Sequence, residues 1–207
     1  MSFTLTPGSP APGFSLPGSD DKIHSFSGSN PVQGKSGTLI FFTCNHCPYV
    51  IGSEDRMKAL FNRITPQGIS MVAIHSNETE GHPTDTFPLV LERMKEMGFG
   101  WLSLDDNSQF IARAYGATRT PHYFLFDKAG KLFYTGRMDN SPRDASKAQT
   151  HELQDAIEDL LAGRPARLPQ TDAIGCNVKW WDKDAHWMPG DACDLDYLHQ
   201  KFPASKL

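Results

Sequence analysis

The sequence predicts an α/β protein in which a mixed sheet lies between layers of helix. Apolar segments typical of strands alternate with amphipathic helical segments over residues 39–115, an order that favours parallel strands. The turn Asp127-Lys128-Ala129-Gly130 then joins two further apolar segments, which adds an antiparallel hairpin to the sheet. Because 39% of the 207 residues are hydrophobic, the chain can fill the core of such a domain.

Apolar periodicity and turn residues place the individual elements. Two short alternating segments on either side of residues 18–21 predict an amino-terminal hairpin at the edge of the domain. Strands are predicted at residues 39–43, 71–74, 101–104, 120–126 and 131–135. Helices are predicted at about residues 49–64, 84–97, 108–115 and 151–162.

The carboxyl-terminal part of the chain differs from the rest in composition. Residues 166–207 contain Trp180, Trp181 and Trp187 together with several aspartates. A disordered segment is rarely this aromatic, because aromatic side chains are buried when a surface is available. We therefore expect a main domain over residues 1–165, with residues 166–207 packed on it as an aromatic tail.

Charge and apolar length exclude several classes of partner. The net charge is −4 and no dense block of basic residues occurs, which gives no electrostatic basis for binding nucleic acid or an anionic membrane. No apolar segment is long enough to span a bilayer. The start of the chain does not resemble a signal peptide, so we expect a cytoplasmic protein. Structural disulfides are rare in that compartment, and closely spaced cysteines there are more often redox-active or metal-binding.

The most informative motif is a Cys-x-x-Cys sequence between a predicted strand and a predicted helix. Cys44 and Cys47 follow the strand at residues 39–43 and precede the helix at residues 49–64. The amino end of a helix favours a thiolate, and the spacing allows the two sulfurs to form a small disulfide ring. We expect Cys44 to be the exposed nucleophile and Cys47 the resolving thiol, with the imidazolium of His46 helping to stabilise the charge. Lowering a thiol pKa from about 8.5 to about 7 requires roughly 2 kcal/mol.

The run Cys44-Asn45-His46-Cys47-Pro48-Tyr49-Val50 resembles the active-site motif of a bacterial redoxin branch of the thioredoxin-like superfamily. That branch is of the alkyl hydroperoxide reductase/thiol-specific antioxidant type. Arg119-Thr120-Pro121 and the run from Gly175 to Trp180 resemble the same branch, in the same order. The resemblance implies a thioredoxin-like three-layer sandwich and a cis peptide bond before Pro121, beside the dithiol. It also implies that a client's backbone pairs with Thr120.

These residues together predict a thiol–disulfide oxidoreductase that needs no cofactor. Its Cys44–Cys47 disulfide would be exchanged with a protein or small thiol client, and a cellular thiol would reduce it again. The histidine directly before the second cysteine resembles the active-site motif of protein disulfide isomerases, which have a histidine at the same place. A stabilised thiolate raises the reduction potential, so we predict a potential above the value of about −270 mV that thioredoxin has.

Peroxide reduction is an alternative that the resemblance also raises. Peroxiredoxins carry Thr-x-x-Cys, with the reacting thiol at the position of Cys47 and a threonine at that of Cys44. They also place an arginine where this chain has Pro121. Because both features are missing here, we rank thiol-dependent peroxidase activity below thiol–disulfide exchange.

Metal binding is the second alternative. Cys44, His46 and Cys47 are three soft ligands suited to zinc or copper, and a fourth ligand would come from His75, His82 or His122. Each of these three histidines has a simpler interpretation as a loop or packing residue. For Cys176 and Cys193, ordinary thiols, a tail disulfide and a relay from Cys176 to the main pair stay open.

Overall fold

A five-stranded mixed sheet forms the middle of the protein, in a computed structural model that describes residues 3–29 and 31–181. The strands are β1 (Ser15–Pro17), β2 (Ile23–Ser25), β3 (Gly37–Thr43), β4 (Ile69–His75), β5 (Leu102–Asp105), β6 (Arg119–Thr120), β7 (His122–Asp127), β8 (Leu132–Gly136) and β9 (Cys176–Asn177). The helices are α1 (Pro48–Ile51), α2 (Glu54–Ile64), α3 (Phe87–Met97), α4 (Phe110–Tyr115) and α5 (Glu152–Leu161). No helix in this described part of the chain is long and apolar enough to cross a membrane.

The sheet order is β5-β4-β3-β7-β8. β3 pairs in parallel with β4, which pairs in parallel with β5, whereas β7 runs antiparallel to both β3 and β8. All seven residues of the central strand β3 are buried. The segment that follows β3, including the Cys-x-x-Cys motif, therefore begins at the centre of the sheet edge.

Two apolar layers cover the two faces of the sheet, because side chains alternate along each strand. On one face, Leu39 and Phe41 of β3 pack with residues of α2 and α5. On the other face, Ile40 and Phe42 pack with α4, the amino-terminal hairpin and Trp180. The structure thus confirms the predicted α/β sandwich with a mixed sheet and an amino-terminal hairpin.

Two predicted elements are interrupted in the structure, one by a contact between distant residues and the other by a proline. The helix expected at residues 49–64 is divided into α1 and α2 at Gly52, where a Cβ would lie 2.8 Å from the carbonyl oxygen of Pro142. Ser53 Oγ donates to that same carbonyl at 3.0 Å. The strand expected at residues 120–126 is divided into β6 and β7 at Pro121, which has no N–H to donate to a ladder.

The carboxyl-terminal segment returns to the domain. β9 pairs antiparallel with β6, and Trp180 is buried in the core on the α4 face. The backbone of Lys179 accepts from Glu78 N at 2.8 Å and donates to Asn77 Oδ1 at 2.9 Å. Trp187 and Cys193, to which the sequence analysis also refers, lie outside the described residues.

Candidate active site

The two cysteines of the motif lie deeper than the sequence predicts. The helix begins at Pro48, so the residue at its amino cap is Cys47, whereas we expected Cys44 at the helix end. The exposed fraction of Cys44 is only 3%, and that of Cys47 is 0%. The expectation of an exposed Cys44 is therefore wrong, because its sulfur contacts Thr120 and the residue packs in an apolar cluster with Cys47 and Val50.

Three sulfur atoms and one threonine meet at this point. Cys44 Sγ lies 3.4 Å from Thr120 Oγ1, and Cys47 in its thiol form donates to the carbonyl oxygen of Thr120 at 3.1 Å. Cys47 Sγ is also 2.8 Å from Cys176 Sγ, whereas the two sulfurs of a disulfide lie about 2.05 Å apart. The peptide bond between Thr120 and Pro121 is cis. The structure thus brings Cys44, Cys47, Thr120 and Pro121 together, and adds Cys176 to them.

The contacts among the sulfurs shift the pKa values of Cys44 and Cys47 in opposite directions. The Cys176 thiol and then the Cys44 thiol hold the pKa of Cys47 well below its usual value, helped by backbone N–H groups of Cys176 and Val50. The contact with Cys47, followed by burial, raises the pKa of Cys44. These contacts therefore favour a thiolate on Cys47, the cysteine at the amino cap of α1, over a thiolate on Cys44.

Cys176 is held in place by a short antiparallel pairing. Cys176 of β9 lies directly opposite Thr120 of β6. Gly175 makes this approach possible, since a Cβ there would lie 2.2 Å from the carbonyl oxygen of Thr120. The resemblance implied a client backbone at Thr120, and in this structure the chain's own β9 occupies that position.

Asp85 holds the active-site loop through a hydrogen bond to its backbone. Its Oδ1 accepts from the backbone N–H of Asn45 at 2.8 Å, and its Oδ2 accepts from Asn77 Nδ2 at 2.8 Å. Burial alone would raise the pKa of Asp85, but its contacts with His46, Asn77 and Asn45 together lower it. As a capping residue, Asp85 predicts a helix start near its own position, yet α3 begins at Phe87. Asp85 is instead the buried anion of the site.

His46 is the half-exposed member of the site. Its Nδ1 lies 2.8 Å from Asp85 Oδ2, off the axis of the N–H bond, so the contact is an ion pair more than a directed hydrogen bond. The Asp85 carboxylate raises the pKa of His46, and the nearby Cys47 adds to that effect. The ring also stacks on His82 with 4.9 Å between ring centroids, and His82 Nδ1 in turn lies 2.6 Å from Glu78 Oε1. The imidazole of His46 thus lies next to both an aspartate and the sulfur cluster, and both favour its charged form.

The other two histidines proposed as metal ligands have structural roles. His75 Nε2 lies 3.3 Å from Ser103 Oγ, and burial lowers the pKa of His75 to about 4. His122 Nε2 lies 3.2 Å from Thr135 Oγ1, and burial, followed by the charge of Arg119, lowers its pKa to about 3. Both rings are buried and neutral near pH 7.

The possible metal ligands differ from those expected. The ligand atoms of Cys44, His46 and Asp85 lie within 4.8 Å of one another, whereas the sequence predicts a set of Cys44, His46 and Cys47. The Asp85 oxygens already accept hydrogen bonds from Asn45 and Asn77. A metal ion here would therefore share the Asp85 carboxylate with two hydrogen-bond donors.

A buried Cys-x-x-Cys pair beside a cis-proline, at the edge of a mixed five-stranded sheet, defines a thioredoxin-like α/β protein. The chain belongs to the Redoxin family, whose profile matches residues 6–151. It is therefore a thiol redox protein of the oxidoreductase kind. No curated protein matches the chain.

Solved structures show the same architecture. An uncharacterized conserved protein from Geobacillus kaustophilus is 33% identical, with a TM-score of 0.79 over 86% of this chain and 93% of that one. A hypothetical protein from Sinorhizobium meliloti 1021 is 31% identical, with a TM-score of 0.79 over 86% of this chain and 97% of that one. A peroxidoxin from Mycobacterium tuberculosis is 15% identical, with a TM-score of 0.57 over 77% of this chain and 99% of that one. At that identity the last likeness concerns the fold alone.

Proposed function

We propose that the protein is a thiol–disulfide oxidoreductase that exchanges a Cys44–Cys47 disulfide with a protein or small thiol client. The observation that carries the proposal is the contact of both sulfurs with Thr120, at 3.4 Å to its hydroxyl and 3.1 Å to its carbonyl oxygen. This places the two thiols side by side next to the cis-proline. A cellular thiol would reduce the resulting disulfide again.

The difference between the two thiols assigns a role to each sulfur. Cys47 carries the charge, and Cys44 retains its proton while it contacts Cys47. As Cys44 Sγ attacks a client disulfide, its proton passes to Cys47 and the first client sulfur leaves as a thiolate. That thiolate then takes the proton from Cys47, whose sulfur attacks Cys44 Sγ and expels the second client sulfur. One disulfide bond is broken in the client, and one is formed between Cys44 and Cys47.

The test is thiol-dependent reduction of a protein disulfide, with serine variants at each position. We expect Cys44→Ser and Cys47→Ser to abolish exchange, and Cys47→Ser to accumulate a mixed disulfide with the client. Cys193→Ser is the matched control and is expected to keep full activity. If the wild-type protein exchanged no faster than free cysteine near pH 7, the proposal would be wrong.

Peroxide reduction is the second candidate, and one observation favours it. The cysteine with the lowered pKa is Cys47, which stands at the position of the reacting thiol in peroxiredoxins. A Cys47 thiolate that attacks a peroxide becomes a sulfenic acid, and the other peroxide oxygen leaves as hydroxide or alkoxide. The Cys176 thiol, whose Sγ is 2.8 Å from Cys47 Sγ, then converts the sulfenic acid to a disulfide with loss of water. Following peroxide consumption separates the two functions, because only the peroxidase would retain turnover in Cys44→Ser.

A further inference from the structure

The third sulfur of the cluster carries an inference that rests on the proposed dithiol exchange and extends it. Cys176 is half-buried, whereas Cys44 and Cys47 are almost fully buried. Its Sγ is 2.8 Å from Cys47 Sγ. The exposed side of the cluster is thus provided by Cys176, which the exchange described above does not use.

The fold holds Cys176 against Cys47 through several independent contacts. The register of β9 sets Cys176 opposite Thr120, whose carbonyl oxygen contacts Cys47. Gly175 allows the two backbones to approach. On the other side of Cys176, Val178 N donates to the carbonyl oxygen of Thr118 at 3.2 Å. Cys176 is therefore bound in the position where a client was expected, with its sulfur against the site.

We propose that Cys176 is a third redox-active cysteine, which exchanges a disulfide with Cys47 and connects the buried dithiol to thiols in solution. The Cys176 thiolate attacks Cys47 Sγ in the Cys44–Cys47 disulfide. The bond between Cys44 and Cys47 breaks, Cys44 leaves as a thiolate and takes the proton that Cys176 has lost, and the Cys47–Cys176 bond forms. This step changes the position of the disulfide and not the oxidation state of the protein.

The second half of the cycle uses a small thiol as reductant. Its thiolate attacks Cys176 Sγ, the more accessible end of the new disulfide, and Cys47 leaves as a thiolate. A second thiol then attacks the mixed disulfide on Cys176, releasing the oxidised small-molecule disulfide and the Cys176 thiolate. Two thiols are oxidised and one protein disulfide is reduced, so electrons balance.

Tryptic peptides distinguish the two disulfides directly. Cys44 and Cys47 lie together in the peptide of residues 36–56, whereas Cys176 lies in residues 168–179 and Cys193 in residues 184–201. A Cys47–Cys176 bond joins the first two peptides, and a Cys44–Cys47 bond leaves them separate. We expect wild-type protein, equilibrated with glutathione disulfide, to yield the joined pair, and Cys44→Ser to yield it as the main oxidised product.

Two results would overturn the inference. One is the absence of the joined pair in both the wild-type protein and Cys44→Ser. The other is a yield of joined peptides in Cys47→Ser that equals the yield in Cys44→Ser. That result would mean that Cys176 reacts with Cys44 as readily as with Cys47. Because these readouts need no client, they remain informative even if the wild-type protein fails to reduce protein disulfides.

The rate of reduction tests the connection to solution. After oxidation, reduced glutathione is added and the appearance of thiols in the protein is followed. We expect Cys176→Ser to be reduced about tenfold more slowly than the wild type, and Cys193→Ser to be reduced at the wild-type rate. An unchanged rate in Cys176→Ser would show that glutathione reaches the dithiol without Cys176, and would refute the relay.

Discussion

Asp85 Oδ1 accepts a hydrogen bond from the backbone N–H of Asn45 at 2.8 Å. A side chain that precedes α3 therefore fixes the loop between the two active-site cysteines. The other oxygen of Asp85 accepts from Asn77, whose own carbonyl oxygen accepts from the backbone of Lys179 in the carboxyl-terminal segment. The active-site loop and that segment are thus held by one hydrogen-bond network.

We predict that Asp85 stabilises the protein in a pH-dependent way. Its pKa is lower in the folded protein than the value of about 3.9 expected in the unfolded chain. The stabilisation is therefore present above that unfolded value and is lost as the pH falls through the folded-state value. The difference in free energy of unfolding between the wild type and Asp85→Asn should shrink between pH 5 and pH 2, as measured by denaturant unfolding. Glu92→Gln, at an exposed position of α3, is the control, and a difference independent of pH would contradict this account.

His46 is predicted to raise the reduction potential of the dithiol. Its imidazolium, which Asp85 favours, stabilises a thiolate in the reduced form, and His46→Ala removes that stabilisation. We expect the potential to fall by about 10–30 mV, because 30 mV corresponds to about 1.4 kcal/mol for a two-electron couple and the half-exposed ring is screened by water. Equilibration with glutathione measures the shift, with His24→Ala in the amino-terminal hairpin as control. A reduction potential that is unchanged in His46→Ala would show that His46 does not tune the dithiol.

Gly175→Ala should displace β9 from β6. The new Cβ would lie 2.2 Å from the carbonyl oxygen of Thr120, and overpacking of this kind costs about 1–3 kcal/mol. We expect a lower midpoint in denaturant unfolding and a smaller yield of the Cys47–Cys176 disulfide. Gly13→Ala is the matched control, since a Cβ there meets no atom within 4 Å. Equal effects of the two substitutions would mean that the approach of β9 to Thr120 is not tightly constrained.

Zinc is expected to bind only weakly. Cys44, His46 and Asp85 supply only three ligand atoms. Zinc binds a cysteine as the thiolate, and the contact with Cys47, followed by burial, raises the pKa of Cys44. Metal analysis of reduced protein, after incubation with Zn²⁺ and gel filtration, should find well under one equivalent. One equivalent that is lost in Asp85→Ala would support the metal-binding alternative instead.

The sequence predicts those parts of the fold and site that depend on local pattern. β3 and β4 are apolar runs, and Gly98 ends α3 in the left-handed conformation expected of a glycine cap. The spacing of Cys44 and Cys47 likewise identifies the dithiol without any structure. Each of these features depends only on residues that are close together in the sequence.

The parts of the fold and site that the sequence does not predict depend on contacts between residues far apart in the chain. β9 contains two residues, too few to show any periodicity, and its pairing with β6 is set by the packing of the segment that follows α5. Asp85 is 40 positions from Asn45, and its hydrophilic surroundings resemble an ordinary helix start. The Gly175-Cys176 pair, in the run that resembles the redoxin branch, is a sequence signal for the third sulfur, but it does not indicate that this sulfur contacts Cys47.

The strand that delivers Cys176 begins well after residue 151, where the Redoxin match ends. A chain shortened to the matched region would keep both cysteines of the motif and lose the thiol that contacts Cys47. The redox centre is therefore composite: two of its sulfurs lie within the matched region, and the third comes from a segment that follows it.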